Sequence, residues 1–256
     1  MNNLYYPQAT GVYGIICHIS QVKNYGQPEE TRLIYWIYER LIERQLFVLP
    51  AHICVMITEQ DMLEAPEKIL LCTRWCIDIS HGVTAREHGD AALKIVQEQK
   101  KLTRNGSNIK GLTFHISTKE HSSIEQYLPG IRKIGEIAHL VIHYQEQKEE
   151  TGKGFPVTVA IGKSGREEIT ECIRSMARSH VHPEKVDEKM LESYLTFKYT
   201  PDFVIKTGGD HLTDFLIWQS VYSELFFSDA NWKYIRKVDL LRALRDYQYR
   251  VRRFGR

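Results

Sequence analysis

Lys206-Thr-Gly-Gly-Asp-His puts a cation, a hydroxyl and two glycines within six positions, directly after the apolar run Phe203 to Ile205. A lysine supplies a point charge, and glycines let backbone N–H groups approach phosphate oxygens. Lys206, Gly208, Gly209 and the following Thr213 are therefore a candidate weak anion site, with a plain structural turn as the equal alternative. A second set is acidic: Glu59, Asp61 and Glu64 follow the run His52 to Thr58, HICVMIT. Carboxylates there suit the positive end of a helix dipole and repel a phosphate, and helix-start charge is the simpler account of them. His139 and His143 stand four apart, His180 and His182 flank Val181, and Cys72 and Cys76 are one helical turn apart. No further ligand at suitable spacing completes a metal site around any of these pairs, so surface and packing roles are expected.

The elements that must position these residues alternate between helical and extended, which predicts an α/β fold. Expected strands are His52–Thr58, Gly111–Ser117 (GLTFHIS), the FPVTVAI run ending at Ile161, and Phe203–Ile205. The first is the continuous apolar run of a parallel strand buried on both faces. Expected helices cover Thr31–Leu46, Pro66–Ile79, Asp90–Leu102, a long one from Pro129 to about Glu149, Gly165–Arg178, Val186–Leu195, Leu212–Phe227 and Lys237–Arg253. Leu33, Ile34, Ile37, Leu41 and Ile42 share a stripe of the first, while Leu212–Phe227 is apolar nearly all round and reads as deeply buried or a subunit contact. Gly82–Ala85 is expected to be extended, and Asn105-Gly106 and EETGKG to be turns.

The 256 residues contain 43% hydrophobic and 26% charged residues, which excludes collagen-like, low-complexity and wholly disordered chains. With 34 basic against 32 acidic residues there is no global field to gather nucleic acid or lipid. The stretch from Lys233 to Arg256 nevertheless holds nine basic residues and two acids. Five cysteines, Cys17, Cys54, Cys72, Cys76 and Cys172, contain no CxxC pair and read as reduced packing residues. No apolar run of about 18 residues exists and MNNLYYPQATG lacks a signal peptide's pattern, so a cytoplasmic location is expected, with contact at the membrane face at most peripheral.

The stretch PDFVIKTGGDHLTDFLIWQSVYSELFFSDANW, with RALRDYQYRVRRFG near the end, resembles the cis-prenyltransferases, the undecaprenyl and dehydrodolichyl diphosphate synthase family. HICVMIT, GKSGREEI and DEKMLESYL fall where that family has corresponding segments, so the resemblance runs over roughly residues 32 to 256. It implies one α/β domain, residues 31–256, with a central mostly parallel sheet flanked by helices, preceded by a flexible segment of residues 1–30. It also implies chemistry in which an allylic diphosphate is ionised or displaced with Mg²⁺ and joined to isopentenyl diphosphate.

Against the family pattern the site segments are altered. Thr58 stands where the family has the metal-carrying Asp of its first loop, and Glu59 where it has glycine. Lys206-Thr-Gly-Gly-Asp-His-Leu-Thr213 is one residue shorter than the family's isopentenyl diphosphate segment and lacks its arginines, which removes bidentate clamping. Thr84-Ala-Arg86-Glu87-His88-Gly89-Asp90 replaces the family's Phe-Ser-x-Glu-Asn loop. Two features remain: Glu224 of Tyr222-Ser-Glu224-Leu225, the family's other metal carboxylate, and Arg253-Phe254-Gly255, the Arg-x-Gly motif that reaches the partner's diphosphate site.

This combination resembles the accessory, Nogo-B-receptor-type subunit of heteromeric cis-prenyltransferases. The resemblance implies a catalytic cis-prenyltransferase partner in a heterodimer or heterotetramer, with Mg²⁺ held mainly by that partner and no catalytic residue of this chain's own. Arg253, Phe254 and Gly255 would act in trans, and Lys206, Gly208, Gly209, Thr213 and Glu224 would be a residual anion or metal site. Allylic and isopentenyl diphosphates would meet at the shared site, with no nucleic acid partner. The alternatives are a self-sufficient atypical prenyltransferase, including one that joins two allylic diphosphates, and a binding module built on the basic C-terminal helix.

Overall fold

The computed structural model describes residues 29–84, 108–118, 124–145, 147–162, 164–209, 216 and 218–250. The chain divides into two compact units, residues 1–36 and 37–256. Of the first, the described part is the opening of helix α1 (Glu29–Gln45).

In the second unit seven strands form one sheet: β1 (His52–Thr58), β2 (Gly111–Ser117), β3 (His139–Tyr144), β4 (Gln147–Thr151), β5 (Pro156–Ile161), β6 (Phe203–Thr207) and β7 (Glu224–Ser228). Their order is β4-β3-β5-β2-β1-β6-β7, and the pairing is parallel except between β3 and β4. The α/β class with a mostly parallel central sheet, expected from the sequence, is what forms. β1 is buried through its five middle residues, as a central parallel strand must be. Ile53, Val55 and Ile57 alternate along it with Cys54 and Met56, and the latter pair packs with Val204 of β6. Trp232 is fully buried edge-on to Phe114, with ring centroids 6.3 Å apart, and Tyr247 of helix α7 (Lys237–Tyr249) packs on Phe203 at 5.0 Å.

Between the strands run α2 (Glu59–Glu64), α3 (Lys68–Thr84), α4 (Leu128–Arg132), α5 (Gly165–Arg178) and α6 (Glu188–Tyr194). α5 starts with a capping box: Ser164 Oγ accepts from the Glu167 N–H, and the Glu167 carboxylate accepts from the Ser164 N–H. Glu168 on its next position is buried and holds later chain in place, accepting from the Phe197 N–H and the Gln219 amide, each at 2.8 Å.

Four expectations are corrected. The long helix from Pro129 does not form: α4 ends at Arg132, a 3₁₀ turn covers Lys133–Glu136, and His139–Tyr144 is β3. Gly130 and Gly135 weaken a helix here, and Leu140, Val141 and Ile142 are buried on both faces between neighbouring strands. Part of the EETGKG turn is also strand, since β4 runs to Thr151 before the left-handed Gly152.

The apolar helix Leu212–Phe227 is likewise absent from its described part: residues 218–222 turn and Glu224–Ser228 is the edge strand β7. An apolar run without helical periodicity is equally the mark of a strand, and the Glu224 N–H bonding to the Asp202 carbonyl starts the ladder. Leu216 and Ser220 are buried there, whereas Val221 and Tyr222 are exposed. Gly82–Thr84, expected to be extended, continues α3. The helix Asp90–Leu102 and the Asn105-Gly106 turn lie outside the described residues.

Candidate active site

The chain leaves β1 for β2 on one side and later returns to add β6 on the other. In open parallel sheets such a reversal leaves a crevice at the carboxyl ends of the two central strands, where ligands bind. Met56 pairs in register with Lys206, so continuing that register brings Thr58, the end of β1, level with Gly208 after β6. Two sequence-predicted segments far apart in the chain thus share one edge of the sheet.

At the β1 end the side chains are already engaged. Thr58 caps α2: its Oγ1 accepts from the Asp61 N–H at 3.2 Å, and Asp61 Oδ2 accepts from both the Thr58 N–H and its hydroxyl at 2.8 Å. Glu59 Oε2 accepts from the Thr118 hydroxyl at 2.6 Å, and Glu64 Oε1 accepts from the Gln60 amide at 3.0 Å. All three acids read as helix-start charge from the sequence therefore have local partners, and all three lie within one six-residue helix.

At the β6 end the picture is the opposite. Lys206 is buried, and its ammonium donates to the Thr207 carbonyl at 2.7 Å. None of the ion pairs among the described residues includes it. Thr207 is fully buried, and its hydroxyl has no hydrogen-bond partner among the described residues. Gly208 and Gly209 follow with φ of +68° and +134°, in the region that favours glycine. A Cβ on Gly208 would sit 3.2 Å from Asn231 Oδ1. A buried cation with no counter-charge among the described residues, beside a glycine turn, is what an anion would complete. Thr213 lies outside the described residues.

Glu224 is not brought to this edge. It pairs in register with Phe203, the first residue of β6, whereas Gly208 follows the last, so the two are about 16 Å apart along the strand at ~3.3 Å per residue. Its carboxylate faces Arg250 Nη1 at 3.2 Å, and the same guanidinium donates to the Leu225 carbonyl at 2.6 Å and to Asp246. Arg250 caps the end of α7, in extended conformation. Arg253, Phe254 and Gly255, three to five residues further on, lie outside the described residues.

Strand geometry holds His139 and His143 apart, about 13 Å along β3 at ~3.3 Å per residue. His139 and His143 are on a strand, with His139 Nε2 2.9 Å from Glu150 and His143 edge-on to Phe197. His52, at the other end of β1, meets Thr113 Oγ1 at 2.8 Å and stacks on Tyr199. Burial pushes its pKa down to about 4 against the opposing pull of Asp202, so the ring is neutral near pH 7. Cys72 and Cys76 are both buried, and their mutual hydrogen bond with desolvation holds the Cys76 thiol well above the usual range, which fits packing and not reactivity.

Residues that sequence reasoning missed are Thr207, Asn231, Thr118 and Arg250. The first had a signal, since it sits inside the Lys-Thr-Gly-Gly motif. Asn231 and Thr118 come to the site through tertiary contact alone, with Gly208 and Glu59, while Arg250 meets Glu224 at the far end of the strands.

Residues 93–255 match the family model described as putative undecaprenyl diphosphate synthase. The chain belongs to the cis-prenyltransferase family. A geranylgeranyl-diphosphate-specific tritrans,polycis-undecaprenyl-diphosphate synthase of Methanocaldococcus jannaschii is 37% identical over 155 residues, 54% of each chain. Isoprenyl transferase 1 of Corynebacterium efficiens is 28% identical over 88% of this chain and 98% of its own length. The chain thus spans about half the length of several curated relatives it matches at higher identity. Among solved structures, lavandulyl diphosphate synthase from Lavandula x intermedia, in complex with dimethylallyl diphosphate, aligns with TM-score 0.52 at 20% identity, covering 81% of this chain and 99% of that one. A probable undecaprenyl diphosphate synthase from Campylobacter jejuni gives 0.53 at 16% identity over the same shares. These two show the fold.

The family's Mg²⁺ is tested by the donors on hand. Among the described residues no group of three or more His, Cys, Asp and Glu side chains is placed to hold a metal ion. Thr58 offers a neutral hydroxyl engaged in a cap, Asp61 and Glu59 are occupied, and Glu224 is at the far end of the strands. The described residues of this family member do not fit the ion.

Proposed function

We propose that this chain serves cis-polyprenyl diphosphate synthesis as the accessory subunit of a heteromeric enzyme. The reaction joins isopentenyl diphosphate to an allylic diphosphate, with diphosphate leaving the allylic carbon, and yields the long-chain precursor of a glycosyl carrier lipid. The observation that carries this reading is the closed end of β1, where Thr58 and Asp61 satisfy each other and leave no acid for a metal. A catalytic cis-prenyltransferase partner then holds Mg²⁺ and the allylic diphosphate. This chain lends Arg253 and Gly255, a planar donor fork and a close backbone N–H, to the isopentenyl diphosphate. Arg250, clamped between Glu224, Asp246 and the Leu225 carbonyl, fixes where that tail leaves the domain. The exposed Val221 and Tyr222, beside the sheet-edge strand β7, offer the apolar contact for the partner.

A second reading, a self-sufficient atypical prenyltransferase, draws on the buried Lys206 and its glycine turn, which could still hold a diphosphate, and on relatives named as a synthase and a transferase. One assay separates the two: the purified chain with allylic and isopentenyl diphosphates and Mg²⁺, alone and with a catalytic subunit. Product only from the pair is the expected result. Robust turnover by the chain alone rejects the accessory role.

A further inference from the structure

The turn after β6 has a buried floor and an open mouth. Lys206 and Thr207 form the floor, and the Thr207 hydroxyl has no hydrogen-bond partner among the described residues. Gly208 and Gly209, both at positive φ, are exposed. Asn231 comes to this mouth from beyond β7. That strand ends at Ser228, in register with Thr207, and the Ser228 hydroxyl accepts from the Ala230 N–H at 3.2 Å. Just after Asn231, Trp232 is fully buried and donates its indole N–H to the Ala65 carbonyl at 3.0 Å. Asn231 is thus held on both sides while itself exposed, with Oδ1 3.2 Å from where a Cβ on Gly208 would sit. It opens the 3₁₀ turn Trp232–Tyr234, a place where asparagine commonly caps with its side chain, yet it makes no cap bond.

We propose that Asn231 is a further binding residue of this turn, its amide N–H donating to a phosphate oxygen of a diphosphate group seated over Lys206, Thr207 and Gly208. Half a turn of the amide puts Nδ2 where Oδ1 lies, so the same side chain presents a donor once an anion arrives. A lysine gives a point charge without a fixed direction. Asn231 supplies the direction, from a backbone that the buried Trp232 anchors. The inference rests on the reading of the Lys206 turn as a diphosphate site, and it stands whether the chain is an accessory subunit or works alone.

The test is calorimetric titration of the full chain with inorganic diphosphate, beside urea unfolding of each variant. The wild type is expected to bind and Lys206→Met to have lost binding. Asn231→Leu, which keeps the size and removes the donor, should weaken binding roughly tenfold. Asn231→Asp, the same shape with a negative charge, should weaken it further, and the added loss should shrink at high salt. Both urea midpoints should stay at the wild-type value, because the side chain is exposed and makes no cap bond. Binding that is lost in Lys206→Met but unchanged in Asn231→Leu overturns the role of Asn231 and leaves the reading of the turn standing. So do Leu and Asp variants that lose binding equally with lowered midpoints, which would make Asn231 a structural prop. Absence of wild-type binding, or full binding by Lys206→Met, overturns the reading of the turn and this proposal with it.

Discussion

Replacing Thr58 by alanine separates a capping role from a chemical one. The substitution deletes Oγ1, and with it the 3.2 Å bond from the Asp61 N–H and the 2.8 Å bond to Asp61 Oδ2. The backbone bond from the Thr58 N–H to the same carboxylate, 2.8 Å, remains. Loss of a threonine N-cap costs about 0.5–2 kcal/mol. The upper half of that range applies here, because α2 has six residues to spread the loss over and carries the fully buried Met62. With a urea m-value of about 2–3 kcal/mol/M, a cost of about 1.5 kcal/mol lowers the unfolding midpoint by roughly half a molar at constant m. Thr58→Ser, which keeps both bonds, should restore it. Product formation by the reconstituted pair, measured with radiolabelled isopentenyl diphosphate at a temperature where both forms are folded, should change less than about twofold. A dead complex with an unshifted midpoint would refute the reasoning, since Thr58 would then act on substrate or metal and not on its helix.

Arg253→Ala should abolish activity of the pair while size-exclusion chromatography still shows the complex, and normal turnover would discard donation in trans. Gly208→Ala forces a left-handed φ of +68° on an alanine and presses it to 3.2 Å from Asn231 Oδ1. It should cost about 1–3 kcal/mol in urea unfolding and weaken inorganic diphosphate binding, read by calorimetry. Lys206→Met removes a buried ammonium that no carboxylate among the described residues offsets. Diphosphate binding should vanish while stability holds or rises, and a strongly destabilised variant would show that the ammonium has a structural counter-charge. His52 titrates at about 4 when folded and near 6.5 when unfolded, so the unfolded chain binds the extra proton between those values. Its stabilising effect is complete above pH 6.5 and is lost as pH falls towards 4, up to roughly 3 kcal/mol. Unfolding midpoints from pH 7 to 4 check this, and His52→Gln should flatten the slope.

The strands that frame the site could be read from the chain with little error: His52–Thr58 and Gly111–Ser117 have the expected bounds, and helix α5 starts and ends where Gly165 and Arg178 put it. Each carries a local signal strong enough to act alone, a continuous apolar run or a capping box. His139–Tyr144 and Glu224–Ser228 were misread as helix because short apolar runs suit either state, and only the neighbours decide. β3 is strand because β5 and β4 flank it, and β7 because β6 offers its open edge.

The same division holds for the site. Residue types alone determined that Thr58 is no metal carboxylate and that Lys206 cannot clamp as arginine does, because charge and donor geometry belong to the side chain wherever it sits. Tertiary structure decided which groups meet. It set Lys206 level with Met56 on the crevice side of the sheet, sent Glu224 to the far end against Arg250, and left Leu33, Ile37 and Leu41 facing water although their spacing is that of a core stripe. Periodicity gives a helix one apolar face but does not say what covers it, and register between distant strands depends on long-range pairing that no local window contains.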